Sequence, residues 1–180
     1  MDATPLHRIR EALPEAAKDI KINLGNVLQP GALDQAQVFG VALASAYTAR
    51  NAELVAALVA EARAADVAPG VIEDAKAAAV LMGMNNVLYR FKHVLGKDDY
   101  QQRPARLRMQ RLAQVATSKA DFELYCLAVS AINNCQTCMA SHEASVLQHG
   151  LTADHVWDAV RIASTVNAAA IALEVAEQSP

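Results

Sequence analysis

Three residues in one short run have types and spacing that fit chemistry. In NNCQTCMASH, residues 133–142, Cys135 and Cys138 stand three apart and His142 follows four residues after Cys138. Side chains three and four apart share a helix face, so both sulfurs and the imidazole lie on one side. Two sulfurs placed in this way come within reach of a disulfide bond. Asn134 is a good N-cap type, and a cap there sets both cysteines in the first turns of a helix. That end carries partial positive charge and free N–H donors, which favour thiolate over thiol. A C-x-x-C cysteine in such a place has its pKa lowered from about 8.5 to roughly 3.5–7.5. The thiolate is the nucleophile, so the sulfur reacts at neutral pH.

Three readings of the run stand side by side. In a redox dithiol, one thiolate attacks a peroxide or disulfide and the second sulfur closes a bridge. A zinc site needs four ligands; only Cys135, Cys138 and His142 cluster, and His7, His93, His149 and His155 lack ligand spacing. Two small apolar side chains that happen to be cysteine leave His142 unexplained. An imidazole titrating near 6.5 is suited to take the thiol proton. An acid behind it would orient it, and Glu123, in the apolar run ADFELYCLAVSA, is the candidate. Spacing alone makes Glu123 a solvated first-turn residue. Cys126 lies in the same apolar helix and reads as a small buried hydrophobe.

The elements that carry these residues read as helices. Leu6, Ile9 and Leu13, then Ile20 and Leu24, give an amphipathic piece over about 5–24, interrupted by Pro14 and ended by Gly25. Gln29-Pro30-Gly31 is a turn. Asp34 caps a helix to about residue 50, a second runs over about 52–65, and a long one follows Pro69-Gly70 to Leu95-Gly96. Residues 97–111 are polar. Ser118 caps a helix that stops at Asn133-Asn134, the cysteine helix runs to His149-Gly150, and Thr152 caps a last helix to about residue 177. No segment alternates as a half-buried strand does. Residues 79–96 resemble residues 127–150: each has an apolar helix reaching an Asn-Asn pair and a helical run ending in glycine. With the pairs superposed, Val87 and Arg90 stand where Cys135 and Cys138 stand. The expectation is one all-α domain over 1–180; two readings of the likeness stand open, repeated halves at about 33–96 and 118–177, or alanine-rich helices alike only in composition.

Composition narrows the function classes. The chain has 180 residues, 53% of them hydrophobic but only 4% aromatic, so its core is built from Ala, Leu, Val, Ile and Met. A net charge of −3 gives no electrostatic reason to expect nucleic-acid binding. No run of about 18 apolar residues is evident, so no membrane span is expected. The opening MDATPLHRIR lacks the pattern of a secretory signal. Three cysteines are too few for a disulfide framework, and a C-x-x-C without an export signal suggests a reducing, cytoplasmic setting.

Beyond these readings, the chain resembles the alkylhydroperoxidase D family, helical members of the carboxymuconolactone-decarboxylase-like group. The resemblance rests on LPEAAKDIKINL (13–24), LDQAQVFGVALASAYTARN (33–51), MGMNNVLYRF (82–91) and FELYCLAVSAINNCQTCMASHE (122–143). It implies a multi-helix bundle, assembled as a homotrimer, that reduces alkyl hydroperoxides as an antioxidant. Cys138 would form the sulfenic acid. Cys135 would be the resolving partner and proton donor, closing a redox disulfide with Cys138 and exchanging with the partner. His142 and Glu123 would be the proton relay, reversing the solvated reading of Glu123. No bound cofactor or metal is implied. Electrons would come from a dihydrolipoyl group on a lipoyl-bearing acyltransferase. The partner would be the peroxiredoxin alkyl hydroperoxide reductase C. The family often has His before the second motif cysteine, where this chain has Thr137, so that role does not transfer.

Other features read more plainly. Arg103, Arg106, Arg108 and Arg111 read as a solvated or subunit-interface cluster, ahead of a docking site for an acidic partner or the lipoyl carrier. Trp157 and Phe39 read as core, Met82 and Met84 as packing. Two rival functions are a decarboxylase acting on a small lactone, which needs no dithiol, and a zinc-stabilised interaction module.

Overall fold

A computed structural model describes residues 4–177. Among them are nine α-helices and no strand, so the chain is all-α. The helices are α1 (Pro5–Ala12), α2 (Lys18–Val27), α3 (Gln35–Ala49), α4 (Ala52–Ala64), α5 (Pro69–Leu95), α6 (Asp98–Gln101), α7 (Lys119–Ile132), α8 (Gln136–Gln148) and α9 (Ala153–Glu177). Short 3-10 turns lie at Glu15–Ala17 and Gln110–Ala113. Gly25 does not end the first amphipathic piece; α2 runs through it to Val27.

Local chemistry sets most boundaries. Asp34 accepts from the Gln37 N–H while the Gln37 side chain accepts from the Asp34 N–H, a capping box that starts α3. Asn51 caps α4 and Ser118 caps α7 through the same kind of side-chain bond. Pro69 opens α5, where its missing N–H costs nothing. Gly96, at φ 59°, ends it in the left-handed region open to glycine.

α7 is the axis of the site. Nine consecutive residues, Phe122 to Ser130, are buried, as expected of a helix covered on every side. It packs on α3, α5, α8 and α9. α3 comes close because Gly40 faces Tyr125: a Cβ there would lie 2.1 Å from the ring. α9 is long and apolar enough to cross a membrane over Ala153–Ala176, but 44% of that stretch is buried inside the fold, against α2, α3 and α7. Asp158, Arg161 and Asn167 break its apolar run, so the sequence shows the helix but no unbroken apolar stretch.

The turn expected at the first Asn-Asn pair is absent. Asn85-Asn86 lies inside the unbroken α5, so the first copy keeps no turn, whereas Asn133-Asn134 ends α7. The two pairs instead meet in space. Asn133 Nδ2 donates to Asn86 Oδ1 at 3.0 Å, and Asn86 Nδ2 donates to Ser130 Oγ at 2.9 Å.

Candidate active site

The dithiol sits where α7 hands over to α8. Asn134 is not the N-cap expected of it. It lies at φ 53°, one residue beyond the C-cap of α7. The Cys135 N–H bonds to the Ser130 carbonyl at 3.0 Å and the Asn134 N–H to the Ala131 carbonyl at 3.1 Å. That is a Schellman closure, in which asparagine tolerates the left-handed residue. The N-cap position of α8 falls on Cys135 itself, with no side-chain cap bond. The first free N–H groups of α8 are therefore left to the sulfurs. Cys138 lies in that first turn, three residues on, and the two cysteines are joined as a disulfide with Cα atoms 5.2 Å apart.

α5 clamps the turn from outside. Arg90 Nη1 donates to the Asn133 carbonyl at 2.5 Å, and His93 Nε2 lies 3.2 Å from Gln136 Oε1. These bonds, with the Asn86–Asn133 pair, fix the start of α8 relative to α5.

Behind the sulfurs stands a chain of titratable groups. His142 Nδ1 is 2.6 Å from Glu123 Oε2, and Glu123 Oε1 is 2.6 Å from Lys119 Nζ. Burial pushes the Glu123 carboxyl up, but hydrogen bonds from His142 and Lys119 outweigh it, and the net effect lowers its pKa. The carboxylate keeps the proton on Nδ1, which leaves Nε2 to take or give one. Nε2 lies 3.2 Å from Met82 Sδ, itself buried. Glu123 is thus buried and paired, correcting the solvated reading from spacing. Spacing missed it because His142, nineteen residues away on α8, covers the carboxylate.

Cys138 and His142 open onto one cavity of about 350 Å3, with Glu123 and Thr137 on its wall. Met82, Tyr89, Met109 and Leu112 supply its apolar side. Cys138 is 6% exposed and Cys135 is 0% exposed, so the cavity reaches the second cysteine of the motif. Cys138, His142 and Glu123 meet at this cavity, and Cys135 joins them behind its wall through the disulfide. Sequence reasoning missed Lys119, although it stands four residues before Glu123 on the same helix face, a legible pairing distance. It also missed Asn85 and Tyr89, which reach the cavity only through the way α5 packs.

The remaining candidates fall elsewhere. Cys126 is buried and free, and burial pushes its thiol far up, as suits a small core residue. Trp157 is 67% exposed rather than core, whereas Phe39 packs against the core. Arg111 is not simply solvated: it pairs with buried Asp74, while Arg103, Arg106 and Arg108 stay exposed. Among the described residues no group of three or more His, Cys, Asp or Glu side chains is placed to hold a metal ion.

A helical bundle with a disulfide at one helix N-terminus and a Glu-His pair behind it defines a class. Residues 98–178 match the Carboxymuconolactone decarboxylase family. Over 171 residues the chain is 60% identical to alkyl hydroperoxide reductase AhpD of Anaeromyxobacter dehalogenans (strain 2CP-C), covering 95% of this chain and 91% of that protein. It is 48% identical over 165 residues to AhpD of Maricaulis maris (strain MCS10), covering 92% and 95%. It is 44% identical over 169 residues to AhpD of Rhodospirillum centenum (strain ATCC 51521 / SW), covering 94% and 90%. The chain belongs to the AhpD family of alkyl hydroperoxide reductases.

Proposed function

We propose that this protein is a cytoplasmic thiol peroxidase that reduces alkyl hydroperoxides through Cys138 and Cys135. One observation carries the reading: the cavity that reaches the Cys138 end of the disulfide is also lined by His142, whose other nitrogen is held by Glu123. The Cys138 thiolate attacks the terminal oxygen of R–O–O–H. A sulfur–oxygen bond forms, the oxygen–oxygen bond breaks, and sulfur loses two electrons. The departing alkoxide takes a proton from the His142 imidazolium and leaves as an alcohol. The Cys135 thiol gives its proton to His142 and attacks the sulfenic sulfur. The disulfide closes, and the expelled hydroxide leaves as water after taking that proton.

A dihydrolipoyl group on an acyltransferase carrier then returns two electrons and two protons, ending as its own cyclic disulfide. The same reduced dithiol reduces the disulfide of the oxidised peroxiredoxin alkyl hydroperoxide reductase C. The working unit is a homotrimer. The exposed apolar stripe of Val80, Val87, Phe91 and Val94 along α5 supports a contact between protomers.

The test is hydroperoxide consumption with dihydrolipoamide as donor, with and without that peroxiredoxin. Turnover is expected from dihydrolipoamide alone and more of it with the peroxiredoxin present; no turnover under either condition refutes the reading. Cys138→Ser should abolish direct turnover, whereas Cys135→Ser should stop at a sulfenic acid that dimedone captures. Turnover surviving in Cys138→Ser would reject the assignment of roles.

A further inference from the structure

The wall of the dithiol cavity holds a polar atom that the relay does not use. Asn85 sits in the middle of α5, one turn after Met82, and is only 5% exposed. Its Oδ1 is buried and accepts no hydrogen bond among the described residues. Its neighbour Asn86 is satisfied by Ser130 and Asn133. Buried amide oxygens are almost always paired, and an unpaired one destabilises the fold. Asn85 lines the same cavity as Cys138 and His142. The residue that carries the unpaired acceptor therefore lines the space where a small molecule meets the sulfur.

We infer that Asn85 binds the hydroperoxide itself, with Oδ1 accepting the hydrogen of the O–O–H group. This rests on the peroxidase reading above. The two ends of a hydroperoxide differ in one respect that a protein acceptor can read: only the terminal oxygen carries a hydrogen. An acceptor fixed on the cavity wall holds that oxygen toward Cys138 Sγ and turns the alkyl chain toward Met82, Tyr89, Met109 and Leu112. The hydrogen stays on the terminal oxygen throughout. It ends in the sulfenic acid as the sulfur–oxygen bond forms and the oxygen–oxygen bond breaks. The alkoxide draws its proton from His142. Asn85 thus acts as a binding residue, complementary to the proton donor that lines the same cavity.

The test uses reduced full-length protein and two variants, Asn85→Leu and Asn85→Ala. Two second-order rate constants are measured by stopped flow. One is oxidation of Cys138 by tert-butyl hydroperoxide. The other is its modification by methyl methanethiosulfonate, which has no O–H or N–H to donate. The hydroperoxide constant should fall about tenfold in both variants, the worth of one hydrogen bond, while the thiosulfonate constant holds. The melting temperature of Asn85→Leu should not fall, because an unpaired acceptor has been removed. If both constants fall together, the effect is on the thiolate and the inference is overturned. It is equally overturned if an active wild type and both variants share one hydroperoxide rate. A wild type inert to hydroperoxide overturns the underlying reading, and does so before any variant is made.

Discussion

Glu123 shows how neighbours decide the state of a single side chain. Burial pushes its pKa up, yet His142 and Lys119 hold it below the ordinary glutamate value. Its contribution, in stability and in orienting His142, is therefore present above that ordinary value, about 4.3, and is lost as pH falls through the lower folded value. Glu123→Gln keeps the shape and removes the charge. Hydroperoxide turnover should drop about tenfold to hundredfold, and His142→Phe should drop it at least as far, with a shifted pH profile. Initial rates between pH 4 and 8 check this, and identical profiles for wild type and both variants would remove the relay. The dithiol and His142 were legible from spacing alone, because a helix face follows from residue number. Glu123 became legible only through the family resemblance, since its partners come from two helices. Asn134 was read as the wrong kind of cap because the same side chain suits the start of one helix and the left-handed end of another.

Among the elements, α5 organises the site. Its C-terminal half holds the start of α8 through Asn86, Arg90 and His93, and its N-terminal half holds the segment before α7 through Asp74. Asp74 is buried, pairs with Arg111, and accepts from the N–H groups of Ala116 and Thr117 and from the Thr117 hydroxyl at 2.7–2.9 Å. That segment carries Met109 and Leu112, half of the cavity's apolar wall. Burial pushes the Asp74 carboxyl up, but its donors outweigh burial and hold it low. Asp74→Asn should cost about 3 kcal/mol at pH 7. The difference from wild type should shrink as pH falls below about 3.9 and through the lower folded value. Urea melts at pH 7 and pH 3 measure it; an equal difference at both would mean that Asp74 acts by packing and not by charge. The helices themselves were readable from caps, because Asp34 and Ser118 act within one turn. The continuity of α5 through Asn85-Asn86 was not. Asn86 spends its hydrogen bonds on α7 and the following turn rather than on its own backbone, so nothing competes with the helix there.

Taken as a whole, the molecule builds its core largely from small side chains and leaves one face of α5, the longest helix among the described residues, apolar. Val80, Val87, Phe91 and Val94 recur at helical spacing, and Val87 is 60% exposed. Beside them lies a larger hollow of about 620 Å3, bordered by Arg50, Lys76 and Arg90 and reaching Asn133 in the turn before Cys135. On the proposed homotrimer, Val87→Glu should shift the protein toward monomer in light scattering after size exclusion, with its helical content intact. A variant that keeps the wild-type mass would move the contact between protomers off this stripe. The overall class was legible because composition and helix periodicity report on the whole chain at once. The stripe was not, since residue types do not say which apolar face the fold will leave uncovered.

The complete enclosure of Cys135 gives the oxidised protein a polarity. A reductant's thiolate finds only the Cys138 end of the bridge, so Cys135 is the sulfur that departs, and an exchange that starts at Cys135 must first prise apart the junction clamped by Arg90 and His93. Small thiols therefore dock on one cysteine, while a protein donor gains the other only by deforming the turn. Mass spectrometry of the mixed adduct left by a brief pulse of cysteamine reads this directly: the label belongs on Cys138, and a label on Cys135 would mean that the junction opens unaided.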